Sequence, residues 1–80
     1  MNTCSVAAIF AFDTGKIYGT DSVCIAVGGY GMRNALSRLL SALGDVPILS
    51  VSVTDSHASA YIPTAYEDAA FSSVIREFPI

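Results

Sequence analysis

The octapeptide VGGYGMRN, Val27 to Asn34, constrains the fold most: an apolar run of strand character ends there and a run of helical character begins, with three glycines at the junction. Glycine meets the demands of a sharp strand-to-helix corner. The same layout also presents backbone N–H groups and the positive end of a helix dipole to an anion. The specific nucleotide motifs are absent. A dinucleotide fingerprint needs glycine where Asn34 stands, and the G-K-[S/T] of a phosphate loop does not occur. What remains is a tight corner, with a small-molecule or anion pocket at Gly28, Gly29, Tyr30, Gly31 and Arg33 as the alternative.

Upstream, TCSVAAIFAF, Thr3 to Phe12, is apolar on both alternating faces, with Val6, Ala8, Phe10 and Phe12 on one and Ala7, Ile9 and Ala11 on the other. This predicts a strand covered on both sides, or by helices on one side and a partner on the other. DTGK, Asp13 to Lys16, predicts a hairpin turn, because Asp caps its own backbone and Gly accepts positive φ. The second strand then runs from about Ile17 to Val27, with a bend or bulge near Gly19–Asp21.

Downstream, Met32, Leu36, Leu39, Leu40 and Leu43 recur at helical spacing, which predicts an amphipathic helix stopped by Gly44 and Pro47. From Ile48 to Val53, Leu49, Val51 and Val53 alternate with Ser50 and Ser52, the pattern of a half-buried strand. An Asp55–Ser56 turn leads to a fourth strand from His57 to Ile62. Thr64 and Glu67 have the spacing of a capping box, and the helix they start runs to about Glu77 with Ala70, Phe71, Val74, Ile75 and Phe78 as its apolar face.

The order β-β-α-β-β-α, in two halves of similar layout (Met1 to Leu43 and Gly44 to Ile80), predicts an α+β fold forming a single compact domain over residues 1–80. It is a two-layer sandwich, an antiparallel sheet of three to four strands with two helices on one face, since each helix has one apolar stripe to hide. With Ala7, Ile9 and Ala11 on the opposite face, that face is more apolar than an exposed one should be. The composition agrees: 80 residues, 52% hydrophobic and 14% charged, leave apolar area exposed unless a partner or second subunit covers it.

The net charge is −3 and the four cations, Lys16, Arg33, Arg38 and Arg76, are scattered, so nothing here grips a phosphate backbone. No basic stretch precedes an apolar segment at the amino terminus, and no apolar stretch reaches bilayer length, which points to a cytoplasmic protein without membrane or nucleic-acid contact. Cys4 and Cys24 face each other across the expected hairpin, where a reducing compartment keeps them as buried thiols and an oxidising one allows a disulfide. His57 lacks the spaced ligands of a metal site. Asp55, Ser56 and His57 are neighbours on a turn, where the three roles of a catalytic triad do not converge. Glu67 and Asp68 suit a helix first turn. The expectation is a non-enzyme with no cofactor and no metal.

Strand directions in this order bring Asp13, Asp45, Glu67 and Asp68 to one end of the sheet, with Asp21 nearby and Lys16 as the opposing cation. An acidic rim beside an apolar face suits docking onto a basic protein surface. In size and layout, a short single domain with no cofactor motif, surplus apolar residues and localised acid, the chain resembles the small phage-encoded anti-CRISPR inhibitors. The resemblance implies a protein that occupies the nucleic-acid-binding or subunit-contact surface of a CRISPR effector complex in the host cytoplasm. Asp13, Asp45, Glu67 and Asp68 would then contact its basic groups. The rival expectation is a regulatory domain that dimerises through its sheet and binds a small molecule or anion at the glycine corner.

Overall fold

The computed structural model describes residues 4–79, so Thr3, where the first strand is expected to start, lies outside the described residues. The elements are β1 (Ser5–Ile17), β2 (Thr20–Tyr30), α1 (Leu36–Leu43), β3 (Ser50–Val53), β4 (His57–Pro63) and α2 (Glu67–Glu77). Short 3-10 turns, Met32–Ala35 and Thr64–Tyr66, lead into the two helices. The fold is α+β: one antiparallel sheet in the order β1-β2-β4-β3, with both helices on one face. Each half is a hairpin followed by a helix, and the halves meet where β2 pairs with β4, Ile25 opposite Ala60 at the centre.

Alternation decides which side chains reach the helices. Val23, Ile25 and Val27 of β2 and Ala58, Ala60 and Ile62 of β4 point to them and are fully or almost fully buried. Against these pack Met32, Ala35, Leu39 and Leu43 from the first helical segment and Ala70, Val74 and Phe78 from the second. The two alanines of β4 give α1 room to approach the sheet. Arg38 fastens the helices together: its guanidinium donates to the Glu77 carboxylate at 3.0 Å and the Glu77 carbonyl at 2.9 Å, and lies 4.6 Å from the centre of the Phe78 ring.

Several expectations are corrected. The first turn lies at Tyr18–Gly19, not at Asp13–Lys16. Both turn residues have positive φ, 52° and 78°, the hairpin geometry that matches strand twist and that glycine adopts freely. The DTGK stretch is instead a register shift within β1 between Asp13 and Gly15, with the Gly15 N–H donating to the Asp13 carboxylate. Gly19–Asp21 is accordingly turn and strand start, not a bulge. A second shift, between Val6 and Ala8, resets the alternation so that Ile9 and Ala11 lie on the helix side and Phe10 and Phe12 on the bare side.

Displacing the turn also moves the cysteine pairing. Phe12 lies opposite Cys24, Cys4 precedes β1, and both thiols are free. Val51 points to the helix side but stays 45% exposed, because α1 covers β4 and does not reach over the β3 edge. No capping box forms: Thr64 begins a 3-10 turn, which leaves Glu67 as the first residue of α2, close to the positive end of the helix dipole. Ile75 lies outside the buried stripe, 45% exposed.

Because the core is shared between helices and the two central strands, deleting one buried anchor is felt throughout. Leu39→Ala should lower the unfolding free energy by about 2–5 kcal/mol in chemical denaturation. Ile75→Ala should cost less than about 1 kcal/mol. Equal effects would mean that the buried stripe is misassigned.

Candidate functional site

The β1–β2 hairpin is longer than the body of the sheet. β4 ends at Pro63, opposite Ser22, which in turn pairs with Gly15, so the stretch from Lys16 to Asp21 projects beyond it with only its own hairpin pairing. Tyr18 stands at the tip, 86% exposed. A tyrosine with φ of 52° occupies a region that non-glycine residues visit rarely. The two-residue hairpin turn imposes this conformation, because such turns place both central residues at positive φ.

The acidic residues gather at this same end. Asp13 lies opposite Val23, Asp45 follows the carboxyl end of α1, and Glu67 and Asp68 open α2 directly after β4 ends. They sit on two separate elements, β1 and α2, and one loop, with no hydrogen bond between them. Asp21 is paired with Lys16 at 2.7 Å, whereas Asp13, Asp45, Glu67 and Asp68 have no ion pair among the described residues. At the opposite end, Arg33 pairs with Asp55 at 2.7 Å and Arg38 with Glu77 at 3.0 Å. Charge is therefore segregated: the tip end carries an excess of carboxylates, and the far end is near balance with a surplus cation at Arg76. Tyr66, 42% exposed, adds a second aromatic ring beside the start of α2.

The helix-free face of the sheet is the other exposed surface of note. Cross-strand partners share a face, so Phe12, Cys24, Tyr61 and Ser50 form one row across it, and Phe10, Ala26, Ser59 and Ser52 the next. Phe10 and Phe12 are 45% and 51% exposed, while Cys24 and Ala26, walled in by their taller neighbours, are nearly inaccessible. Burial pushes the Cys24 thiol above its ordinary range, partly offset by hydrogen bonds from Ser59 and Tyr61, and the neighbouring sulfur raises the Tyr61 phenol. The rings of Phe10 and His57 converge over Gly28, each 3.4 Å from where a β-carbon would sit.

The glycine corner is used by the fold itself. A β-carbon on Gly29 would collide with the Ser5 carbonyl, so only glycine allows β1 and β2 to approach there. The Gly29 and Met32 N–H groups donate at 3.0 Å to the carbonyls of Ser56 and Asp55, which ties the corner to the β3–β4 turn. An open depression of about 300 Å³ borders it, lined by Tyr30, Gly31, Asn34 and Asp55. Arg33 points its guanidinium at Asp55 rather than into an anion site. On the same turn Ser56 Oγ hydrogen-bonds His57 Nδ1 at 2.9 Å, but the Asp55 carboxylate is engaged by Arg33. Asp55, Ser56 and His57 therefore do not line up as nucleophile, base and orienting acid.

Among the described residues no group of three His, Cys, Asp or Glu side chains could hold a metal ion, and no helix is long and apolar enough to cross a membrane. Compared with known proteins, the chain matches no protein family and no curated protein.

Sequence reasoning reached the acidic end because it depends only on strand direction, which survives a turn shifted by several residues. It missed Tyr18 and the outward Phe10 and Phe12, whose placement follows from the turn and from the shift at Val6–Ala8. The run VAAI carries no mark of that shift, since neither alanine prefers a face. The Tyr18 strain is open to test: Tyr18→Asn, which creates the Asn-Gly pair favoured in such turns, should raise stability by about 1 kcal/mol or less in denaturant titration. A loss of stability would show that the ring is held by contacts that stabilise the hairpin.

Proposed function

We propose that the protein is a small non-catalytic binding module that inhibits or modulates a larger macromolecular complex, docking its acidic end on a basic protein surface. Segregated charge carries this reading. Carboxylates free of ion pairs at Asp13, Asp45, Glu67 and Asp68 surround a projecting hairpin whose tip is an exposed tyrosine. Carboxylates steer a basic partner into place, and a tyrosine buried on contact supplies the apolar anchor that rim charges lack. The partner class that fits is a protein surface shaped to hold nucleic acid. The small phage-encoded anti-CRISPR inhibitors work in this way, so the specific proposal is an inhibitor that acts on a CRISPR effector subunit in the host cytoplasm.

The test is target-DNA binding by a panel of purified CRISPR effector complexes, with the wild-type protein and with the Asp13→Lys/Asp45→Lys/Asp68→Lys variant, each shown to be folded by circular dichroism. The expected result is inhibition of at least one complex by the wild type, weakening as salt is raised, and its loss in the variant through slower association. Inhibition by the folded variant at the wild-type level would overturn the acidic-end reading. Failure to inhibit any complex would overturn the choice of target.

A further inference from the structure

The sheet has two edges, β1 and β3, and they are guarded differently. β3 has four residues and follows Pro47, whereas β1 has thirteen and carries neither charge nor proline from Ser5 to Phe12. A long uncharged edge is a template for a further strand, which is why folded proteins usually blunt it. Its free backbone groups can be assigned. The Gly29 N–H donates to the Ser56 carbonyl, so in the antiparallel alternation Val23, Ile25 and Val27 of β2 bond to β4, and Cys24, Ala26 and Gly28 bond to β1. Their β1 partners, Phe12, Phe10 and Ala8, are thereby engaged. Ile9 and Ala11 turn their N–H and C=O groups outward, where no strand pairs with them among the described residues. The register shifts at Val6–Ala8 and Asp13–Gly15 leave Ala8 to Asp13 as the regular stretch of this edge.

Above this edge the helix layer is open as well. α2 packs on β1 and β2 and α1 packs on β4, so α2 is the outer helix on the β1 side. Between α2 and β1 lies an open apolar depression of about 300 Å³, lined by Ile9, Phe71, Ile75 and Phe78. Phe78 is buried and Ile9 and Phe71 half-buried, while Ile75 stands 45% exposed at the rim. Arg38 of α1 engages Glu77 on the other flank of α2, and no charged side chain lines the depression. Free backbone groups and a bare apolar stripe therefore run side by side along one border of the molecule.

We propose that a second copy of this chain adds to the β1 edge, pairing β1 with β1 antiparallel about a two-fold axis at Phe10, normal to the sheet, to give one continuous eight-stranded sheet. This register sets Ile9 opposite Ala11 of the second copy and forms four backbone hydrogen bonds, two donated by each chain. It leaves Asp13 and both register shifts outside the central pairs. A second copy suits the border because it extends both layers at once. With strands about 4.8 Å apart and α2 midway over β1 and β2, the two α2 axes lie roughly 10 Å apart. Packed helices are separated by about 8–10 Å, so Phe71 and Ile75 of each copy close the depression of the other. A lone extended segment supplies the hydrogen bonds and no second layer. Charge agrees with this occupant: the acidic tips point in opposite directions, and the two Asp13 residues lie about 20 Å apart, beyond the screening length of about 8 Å. About seven residues of edge, two layers deep, make a footprint of roughly 450 Å² per copy. That is below the roughly 800 Å² of tight interfaces, so the dimer is weak and depends on concentration. It leaves the acidic end free and stands whether or not the proposed inhibitor function does.

Sedimentation equilibrium on the full chain, from micromolar to millimolar protein, tests it. The wild type should pass from monomer to dimer and stop there, because the dimer exposes only the short β3 edges. A wild type that grows past a dimer would overturn the proposal, as would one monomeric throughout, which would assign the edge to a strand of another protein. Ala11→Pro removes an N–H that the monomer does not use, and proline is tolerated on an edge strand. It should keep the circular dichroism spectrum and raise the dissociation constant at least about tenfold, and so should Ile75→Lys at its exposed position. A wild-type dissociation constant in either folded variant, or an Ala11→Pro chain that does not fold, would overturn the assignment of the free edge. The register is read by cross-linking in a Cys4→Ser background. Phe10→Cys faces its own copy in a non-hydrogen-bonded pair with Cα atoms about 4.5 Å apart, within disulfide reach, and should form a covalent dimer on oxidation. Phe12→Cys faces Ala8 of the second copy and should cross-link at least about tenfold more slowly. Equal rates, or the reverse order, would overturn the two-fold pairing at Phe10.

Discussion

Everything in this fold hangs on the pairing of β2 with β4. It joins two hairpin-plus-helix halves that share no other sheet hydrogen bonds, and its helix-facing residues, Val23, Ile25 and Val27 against Ala58, Ala60 and Ile62, floor the single core. Neither half can bury its helix alone. Leu39 and Val74 come from different halves and are both fully buried over this seam. Non-local pairing of this kind must be bought with loop-closure entropy before its contacts return it, so the chain gains little until both hairpins meet.

What the seam consumes, the rest of the surface lacks. Nearly all large aliphatic side chains turn inward, and the helix-free face is left with Phe10, Phe12, Tyr61, His57 and small residues. The charges follow a similar division. Two of the three ion pairs among the described residues sit at the corner end, where Arg33 holds the β3–β4 turn and Arg38 holds the end of α2; the hairpin end has Lys16–Asp21 and the carboxylates without ion pairs. Exposed ion pairs contribute little to stability. Their position matters because it leaves the opposite end free to present net negative charge.

The sequence disclosed the element order, the buried stripe from Met32 to Leu43, the fourth strand and the common end of Asp13, Asp45, Glu67 and Asp68, because periodicity and strand direction are coarse signals. It misled where single residues decide. Asp-Thr-Gly-Lys has turn chemistry as good as Tyr-Gly or better, and only pairing across the whole hairpin selects the later turn. The alternation of Val6 to Phe12 is apolar on both faces, so the shift at Val6–Ala8 that turns Phe10 and Phe12 outward had no contrast by which to be read. The capping box failed for a local reason, since Thr64 enters a 3-10 turn after Pro63 instead of starting an α-helix.

The central claim, that the β2–β4 seam carries the fold, is tested most directly by native-state hydrogen exchange followed by NMR. The slowest amides should be those of Val23–Val27 and Ala58–Ile62, exchanging with the free energy of global unfolding. Amides beyond Ser22 in the projecting hairpin should exchange faster, by local opening. If the β1–β2 hairpin stayed protected while β4 exchanged through a smaller opening, the two halves would be separable and the account would be contradicted.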